Sequence, residues 1–168
     1  MIVLGIDPAI RTTGYSVVQT NSSSVTEIID CGVIANAQKL PHTECLRRIY
    51  GGIEQLIELY HPDCAVLEDP FVGKNSKTAI ILGMARGAIL AALANHNIPA
   101  YSYAPTTAKR TATGSGSSSK EDIAIILSSE FNINIEDIPL DSTDAVALAL
   151  CHAQKALHPE YGLLGKTL

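Results

Sequence analysis

Unbroken apolar runs, helically spaced apolar residues and short polar interruptions divide this 168-residue chain into elements. Ile2-Val3-Leu4 leads through Gly5 and Ile6 into a single carboxylate, Asp7. A turn-rich segment then leads to a second β-rich run, Tyr15 to Val18. Near-continuous apolarity predicts a first strand buried on both faces, because a half-solvated strand would alternate. Asn21 to Ser24 reads as a polar turn and Val25 to Ile34 as a third strand, so the chain opens as an antiparallel meander.

After Leu40-Pro41 the period changes. Leu46, Ile49, Ile53, Leu56, Ile57 and Tyr60 recur at helical spacing, with Arg47, Arg48, Glu54 and Glu58 on the other face, which predicts a helix to about Tyr60. Gly51-Gly52 weakens its middle by about 1 kcal/mol per glycine, which points to close packing there. Cys64 to Leu67 reads as a short strand ending in Glu68, and Lys74 to Asn95 as a second helix, apolar nearly all round from Ile80 to Leu93. That stretch reads as a buried core helix, a contact between two copies, or part of each. A strand at Pro99 to Tyr103 follows. Helices are then predicted at Pro105 to Thr113, Lys120 to Phe131 and Asp141 to Leu157, with Gly114 to Ser119 as a loop. The order predicts an α/β fold, a mixed sheet with helices on both faces, in one domain spanning 1–168.

Composition narrows the classes. With 46% hydrophobic and 17% charged residues the chain can bury a core and is not expected to be disordered. No membrane span is expected, and the N-terminus lacks the basic region of a signal peptide. Four scattered cysteines without a C-x-x-C pair predict a reducing cytoplasm and no structural zinc. The net charge of −5 excludes a uniformly basic surface but leaves room for a local basic stripe.

Two apolar strands end in carboxylates, Asp7 and Glu68, and Asp141 and Asp144 lie i, i+3 on one face of a helix start. Each has an ordinary explanation: a strand end, an edge charge, an N-cap for Asp141 and a capping-box or helix-dipole residue for Asp144. Together, on adjacent parallel strands with a helix aimed at them, they would repel unless a hard divalent cation lay among them. Such clusters carry metal-assisted phosphodiester chemistry. Lys109, Arg110, Lys120, Lys74, Lys77 and Arg86 are candidate phosphate contacts, against the reading of ordinary solvated charges. Phe71, in a polar segment, is a candidate for stacking on a base, against core packing. The Gly114–Ser119 loop lacks the Gly-Lys-Ser/Thr of a phosphate-binding P-loop. His152 reads as a partly buried helix residue.

Gly-Ile-Asp7-Pro with Arg11 and Gly14-Tyr15, Leu-Glu68-x-x-Phe71-x-x-Lys74-Asn75, Gly83-x-Ala-Arg86-Gly87, Lys109, Lys120 and Asp141-x-x-Asp144-Ala145 occur in that order. In this the chain resembles the RuvC-type Holliday junction resolvases of the RNase H-like superfamily over nearly its whole length. The resemblance implies a mixed five-stranded sheet, a homodimer and Mg²⁺-dependent (or Mn²⁺-dependent) cutting of four-way DNA junctions, with two ions per subunit. It implies Asp7, Glu68, Asp141 and Asp144 as metal ligands and Lys109 and Lys120 as supports of the scissile phosphate. It also implies Phe71 as an aromatic at the crossover, and the branch-migration complex RuvAB as a partner. Ala9 and Ser16 stand at positions where the family usually has glycine, so the turn after Asp7 is expected to be strained or reshaped, and Asp69-Pro70 adds charge and stiffness beside Glu68.

Two other classes compete. A branched-DNA-binding module that does not cut is disfavoured because binding a polyanion gains nothing from clustered carboxylates. A sugar or acetate kinase-like domain would need a second domain and a second phosphate loop.

Overall fold

The computed structural model describes residues 1–21, 24–70, 75–158, 160 and 164–168. Strands β1 (Ile2–Asp7), β2 (Thr12–Thr20) and β3 (Val25–Ala35) form the expected meander. Helix α1 (His42–Tyr60), strand β4 (Cys64–Glu68), helix α2 (Ser76–Asn95) and strand β5 (Ala100–Tyr103) follow. Helices α3 (Pro105–Thr113), α4 (Lys120–Phe131) and α5 (Thr143–Leu157) precede a last strand, β6 (Lys166–Thr167). The sheet order is β3-β2-β1-β4-β5-β6. β1 and β4 run parallel, as do β4 and β5, while the meander and β6 are antiparallel.

The sheet therefore has six strands where five were expected. β6 pairs Thr167 with Tyr101 and Ser102 with Lys166, covering the edge of β5. A two-residue strand has no periodicity to detect, and its existence depends on a long-range pairing that no local pattern encodes.

Each face of the sheet has its own core. Leu4, Ile6, Val17, Ala65 and Leu67 pack with Ile49 and Ile53 of α1 and Ile89 and Leu93 of α2. Val3, Val18 and Val66 pack on the opposite face with α3, α4 and the nearly all-apolar α5. This alternation along β1, with both sides buried, is why its sequence looked uniformly hydrophobic. In α1 the close approach falls at Gly52, where a Cβ would come within 2.7 Å of the Ile34 side chain, whereas nothing lies near Gly51.

α2 starts at Ser76 rather than Lys74, because the Asn75 side chain accepts hydrogen bonds from the amides of Lys77 and Thr78. Ala85, Arg86, Ile89, Ala92 and Leu93 are buried on its inner face, while Ile80 is 64% exposed and Met84 also faces outward. By length and its mean hydropathy of 1.6 this helix could cross a membrane, contrary to the sequence expectation. Arg86 near its middle and its packing against the sheet argue instead for a helix with one covered and one open face.

Candidate metal and phosphodiester-cleavage site

The register of β1 and β4 pairs Ile6 with Leu67, so Asp7 and Glu68 leave neighbouring parallel strands at the same end of the sheet. α5 arrives at that end because the strands beneath it are pared down. A Cβ on Gly5 would lie 2.1 Å from the Ala145 carbonyl oxygen, and one on Gly14 would lie 2.1 Å from the Asp141 carbonyl oxygen. Neither clash is tolerable, so these two glycines let the start of α5 press directly onto β1 and β2. Ser16 Oγ donates to the Ala145 carbonyl at 2.9 Å in the buried interface. The serine that departs from the family pattern thus helps dock the residue next to Asp144.

Asp141 is not the N-cap of α5. It lies in a 3₁₀ turn, Leu140–Ser142, and Ser142 occupies the cap position without a side-chain cap bond. The Asp141 carboxylate instead accepts from Lys120 Nζ at 2.6 Å. Asp144 lies in the first turn of α5, with Oδ1 3.1 Å from Lys109 Nζ. That buried oxygen has no well-aligned hydrogen-bond donor, so the contact is an ion pair rather than a formed hydrogen bond. Lys120 is placed by a capping box: Ser119 Oγ accepts from the Asp122 amide and the Asp122 carboxylate accepts from the Ser119 amide, which makes Ser119 the N-cap and Lys120 the first residue of α4.

The electrostatics record the crowding. Asp7 is pushed up from an ordinary carboxylate value to about 7, first by burial and then by Glu68 and Asp144, with Lys120 acting the other way. Glu68 is also raised, by burial and then by Asp144, while Lys109 opposes the shift. Proximity of like charges inside a poorly solvated cleft costs free energy that a divalent cation would remove. Among the described residues, no three ligand-type side chains close into a ready-made cage. The oxygen-only donor set, the misaligned Asp144 Oδ1 and the raised Asp7 nonetheless fit a hard divalent ion, provided that the lysines yield their carboxylates.

Other expected site residues are distributed as follows. Lys77 is exposed in the first turn of α2, and Arg110 is exposed on α3 beside a hollow shared with Thr107, Thr111, Gln154 and Lys155. Arg86 is 8% exposed and its Nη1 donates to the Glu68 backbone carbonyl, so it is not placed as a surface phosphate contact. A guanidinium turned onto its own backbone was not legible from a Gly-x-Ala-Arg-Gly string. Phe71 and Lys74 lie outside the described residues. Ala9 has no positive φ, so the turn after Asp7 is unstrained there, and its carbonyl accepts from Thr13 Oγ1 at 2.6 Å. His152 is buried away from the carboxylates, 3.1 Å from the Tyr103 hydroxyl, and burial lowers its pKa to about 4.

The family model described as crossover junction endodeoxyribonuclease RuvC matches residues 3–152. The RuvC of Pelodictyon phaeoclathratiforme is 38% identical over 151 residues, covering 90% of this chain and 78% of that protein. The RuvC of Chloroflexus aggregans is 37% identical over 156 residues, covering 93% and 94%. Among solved structures, Thermus thermophilus RuvC in complex with a Holliday junction substrate superposes with a TM-score of 0.86 at 27% identity, covering 100% of this chain and 99% of that one. The yeast mitochondrial Holliday junction resolvase, at 16% identity and a TM-score of 0.65, shares the fold. Matches of this length, aligned nearly end to end, mean that the chain belongs to the RuvC family of crossover junction endodeoxyribonucleases.

Proposed function

We infer that this protein resolves Holliday junctions, cutting opposed strands of a four-way DNA junction at the cleft formed by Asp7, Glu68, Asp141 and Asp144. The observation that carries this reading is the convergence of strand-borne and helix-borne carboxylates, with Lys109 and Lys120 already seated on two of them. The four carboxylates would hold Mg²⁺ or Mn²⁺, two ions per subunit. Ions held there supply Lewis acidity to the phosphate oxygens and help ionise the attacking water. In the hydrolysis a water oxygen bonds to phosphorus, the bond to one sugar oxygen breaks, and that oxygen leaves with a proton. Asp7 and Glu68, on the rigid sheet end, would hold the ions in place. Lys109 and Lys120, released from Asp144 and Asp141, place positive charge where the phosphate oxygens gain negative charge. Arg110 and Lys77 lie on the exposed surface as backbone-phosphate contacts, and Phe71 and Lys74 follow Glu68 closely in sequence.

Paired cutting requires two sites in one complex, and the open face of α2 supports a homodimer. Among the described residues, nothing outside the helix's own backbone lies within 4 Å of where a Cβ at position 83 or 87 would lie, and Ile80 and Met84 expose apolar surface beside them. An isologous pairing of two such faces would form a closed two-fold dimer. The four free cysteines fit a reducing cytoplasm, and RuvAB is the proposed motor partner.

Labelled four-way junction incubated with Mg²⁺, with EDTA, and beside an ATP-hydrolysis assay tests the activity. Symmetric cuts with Mg²⁺ alone and no ATP turnover are expected, and binding without cutting would reduce the protein to a junction-recognition module. Sedimentation tests the dimer: the wild type should run at twice the 17.8 kDa chain mass, and Gly87→Arg should run as a monomer that leaves only single nicks in a cruciform plasmid. A monomeric wild type would contradict the dimer.

A further inference from the structure

Arg86 lies on the inner side of α2, buried, with an incompletely used guanidinium. Nη1 donates to the backbone carbonyl of Glu68, while Nη2 is buried with no hydrogen-bond partner among the described residues. Beside it is a hollow of about 80 Å³ lined by Asp7, Pro8, Glu68, Asp69, Pro70 and Leu82. Burial lowers the guanidinium's pKa and the neighbouring Asp69 and Glu68 act against that shift, so the group stays charged. A buried cation with an idle donor is destabilising unless its placement serves something else. A nearby lysine would bring a point charge, whereas arginine's planar fork can hold one fixed donor on the backbone and aim a second elsewhere.

We propose that Arg86 is a positioning residue for Glu68. Its Nη1 anchors the last carbonyl of β4, and its Nη2 holds a water in the hollow that bridges to the Asp7 and Glu68 carboxylates. The volume exceeds the roughly 15 Å³ that one water needs, and the hollow supplies one donor, with the Asp7, Glu68 and Asp69 carboxylates as acceptors. The three apolar walls, Pro8, Pro70 and Leu82, confine that water to the polar side. Arg86 would then fix the height and rotamer of Glu68 from behind, without touching DNA. This inference rests on the metal-dependent nuclease reading and adds a residue to it.

The test compares Arg86→Gln and Arg86→Lys with the wild type as full-length protein. If Arg86 positions Glu68, Arg86→Gln weakens Mg²⁺ binding measured by calorimetry by about 10-fold or more, in the range typical of lost outer-shell partners. The cutting rate at saturating junction falls similarly, and KM for the junction stays within about twofold. Arg86→Lys restores part of the Mg²⁺ affinity. Junction binding measured in EDTA keeps its salt dependence, whereas loss of a phosphate contact would flatten the slope by about 0.9. The double variant Glu68→Gln/Arg86→Gln cuts no more slowly than Glu68→Gln alone, since both act through one group. A flattened salt slope with unchanged Mg²⁺ affinity would make Arg86 a DNA contact and overturn the proposal. Unchanged Mg²⁺ affinity and unchanged rate would also overturn it. If Arg86→Gln does not fold, Arg86→Lys decides: wild-type Mg²⁺ affinity and rate in it leave no role for the fork. A wild type that binds no Mg²⁺ would instead sink the nuclease reading itself.

Discussion

Asp7 and Glu68 end adjacent parallel strands, are substantially buried, and make no ion pair with any described residue. Asp141 and Asp144, at the entry to α5, each face a lysine from the α3–α4 region. The strand half is fixed by a sheet buried on both sides, so its carboxylates cannot move apart, and the repulsion appears as raised pKa values. The helix half relieves its charge internally, at a 2.6 Å contact that is half exposed and a 3.1 Å contact that is well covered. One half therefore needs a counter-charge from outside, and the other must give up the counter-charge it has. On the proposed function, a cleft assembled this way would favour a divalent ion at the strand half and would free two ammonium groups for the phosphate.

The most severe way to break the contrast is to remove the strand half. Asp7→Asn or Glu68→Gln should lower cutting by about a thousandfold or more in single-turnover assays, as expected when several kcal/mol of transition-state stabilisation is lost. Junction affinity in EDTA should hold or tighten. Near wild-type cutting by Asp7→Asn would place the chemistry elsewhere.

Next in size are the lysines. Lys109→Ala and Lys120→Ala should each cut about a hundredfold more slowly at saturating junction. Mg²⁺ affinity should not fall, because each lysine competes with the ion for a carboxylate. Calorimetry showing weaker Mg²⁺ binding would mean that the ammonium groups organise the ligands rather than yield them.

Protons also compete with the ion. With Asp7 raised to about 7, apparent Mg²⁺ affinity should fall about tenfold per pH unit as pH drops below that value. Glu68→Asp keeps that dependence, whereas Asp7→Asn removes it. A flat profile between pH 5 and 7 in the wild type would contradict the crowded strand half.

A smaller effect concerns folding without metal. Because the folded-state pKa of Asp7 is raised, its contribution is favourable at low pH and is lost as pH rises from the usual carboxylate value towards about 7. In EDTA at pH 8, Asp7→Asn should therefore be more stable than wild type by a few kcal/mol, and the difference should vanish near pH 4. Urea unfolding at the two pH values checks both halves of this statement. Equal stability at pH 8 would mean that Asp7 is better solvated than its position implies.

Much of this arrangement was readable before the fold was known. Helices α3 and α4 begin and end where proline, the Gly-Ser run and Ser119 place them, and the apolar strands running into Asp7 and Glu68 flagged the sheet end of the site. Other parts depended on contacts distant in sequence. Asp141 looked like a cap because Asp before a helix usually is one, yet Lys120, 21 residues earlier, takes its carboxylate. Gly5 and Gly14 were visible as glycines, but the reason for them, the carbonyls of Ala145 and Asp141 pressing on their Cα atoms, required the packing of α5. Arg86 read as a candidate phosphate contact because charge is visible in a sequence, whereas its burial against the Glu68 carbonyl is not. A hint was available: an arginine inside a helix otherwise apolar on all sides must end against a backbone or a carboxylate.

The central claim is that the carboxylate cleft cuts junction DNA only when divalent ions enter it. The most direct measurement is a single-turnover reaction in which wild type and Asp7→Asn are bound to a labelled four-way junction in EDTA, and Mg²⁺ is then added in excess. Wild type should remain uncut until Mg²⁺ arrives and then cleave two opposed strands, while Asp7→Asn stays bound and uncut. Cleavage by wild type before Mg²⁺ is added, or comparable cleavage by Asp7→Asn afterwards, would contradict it.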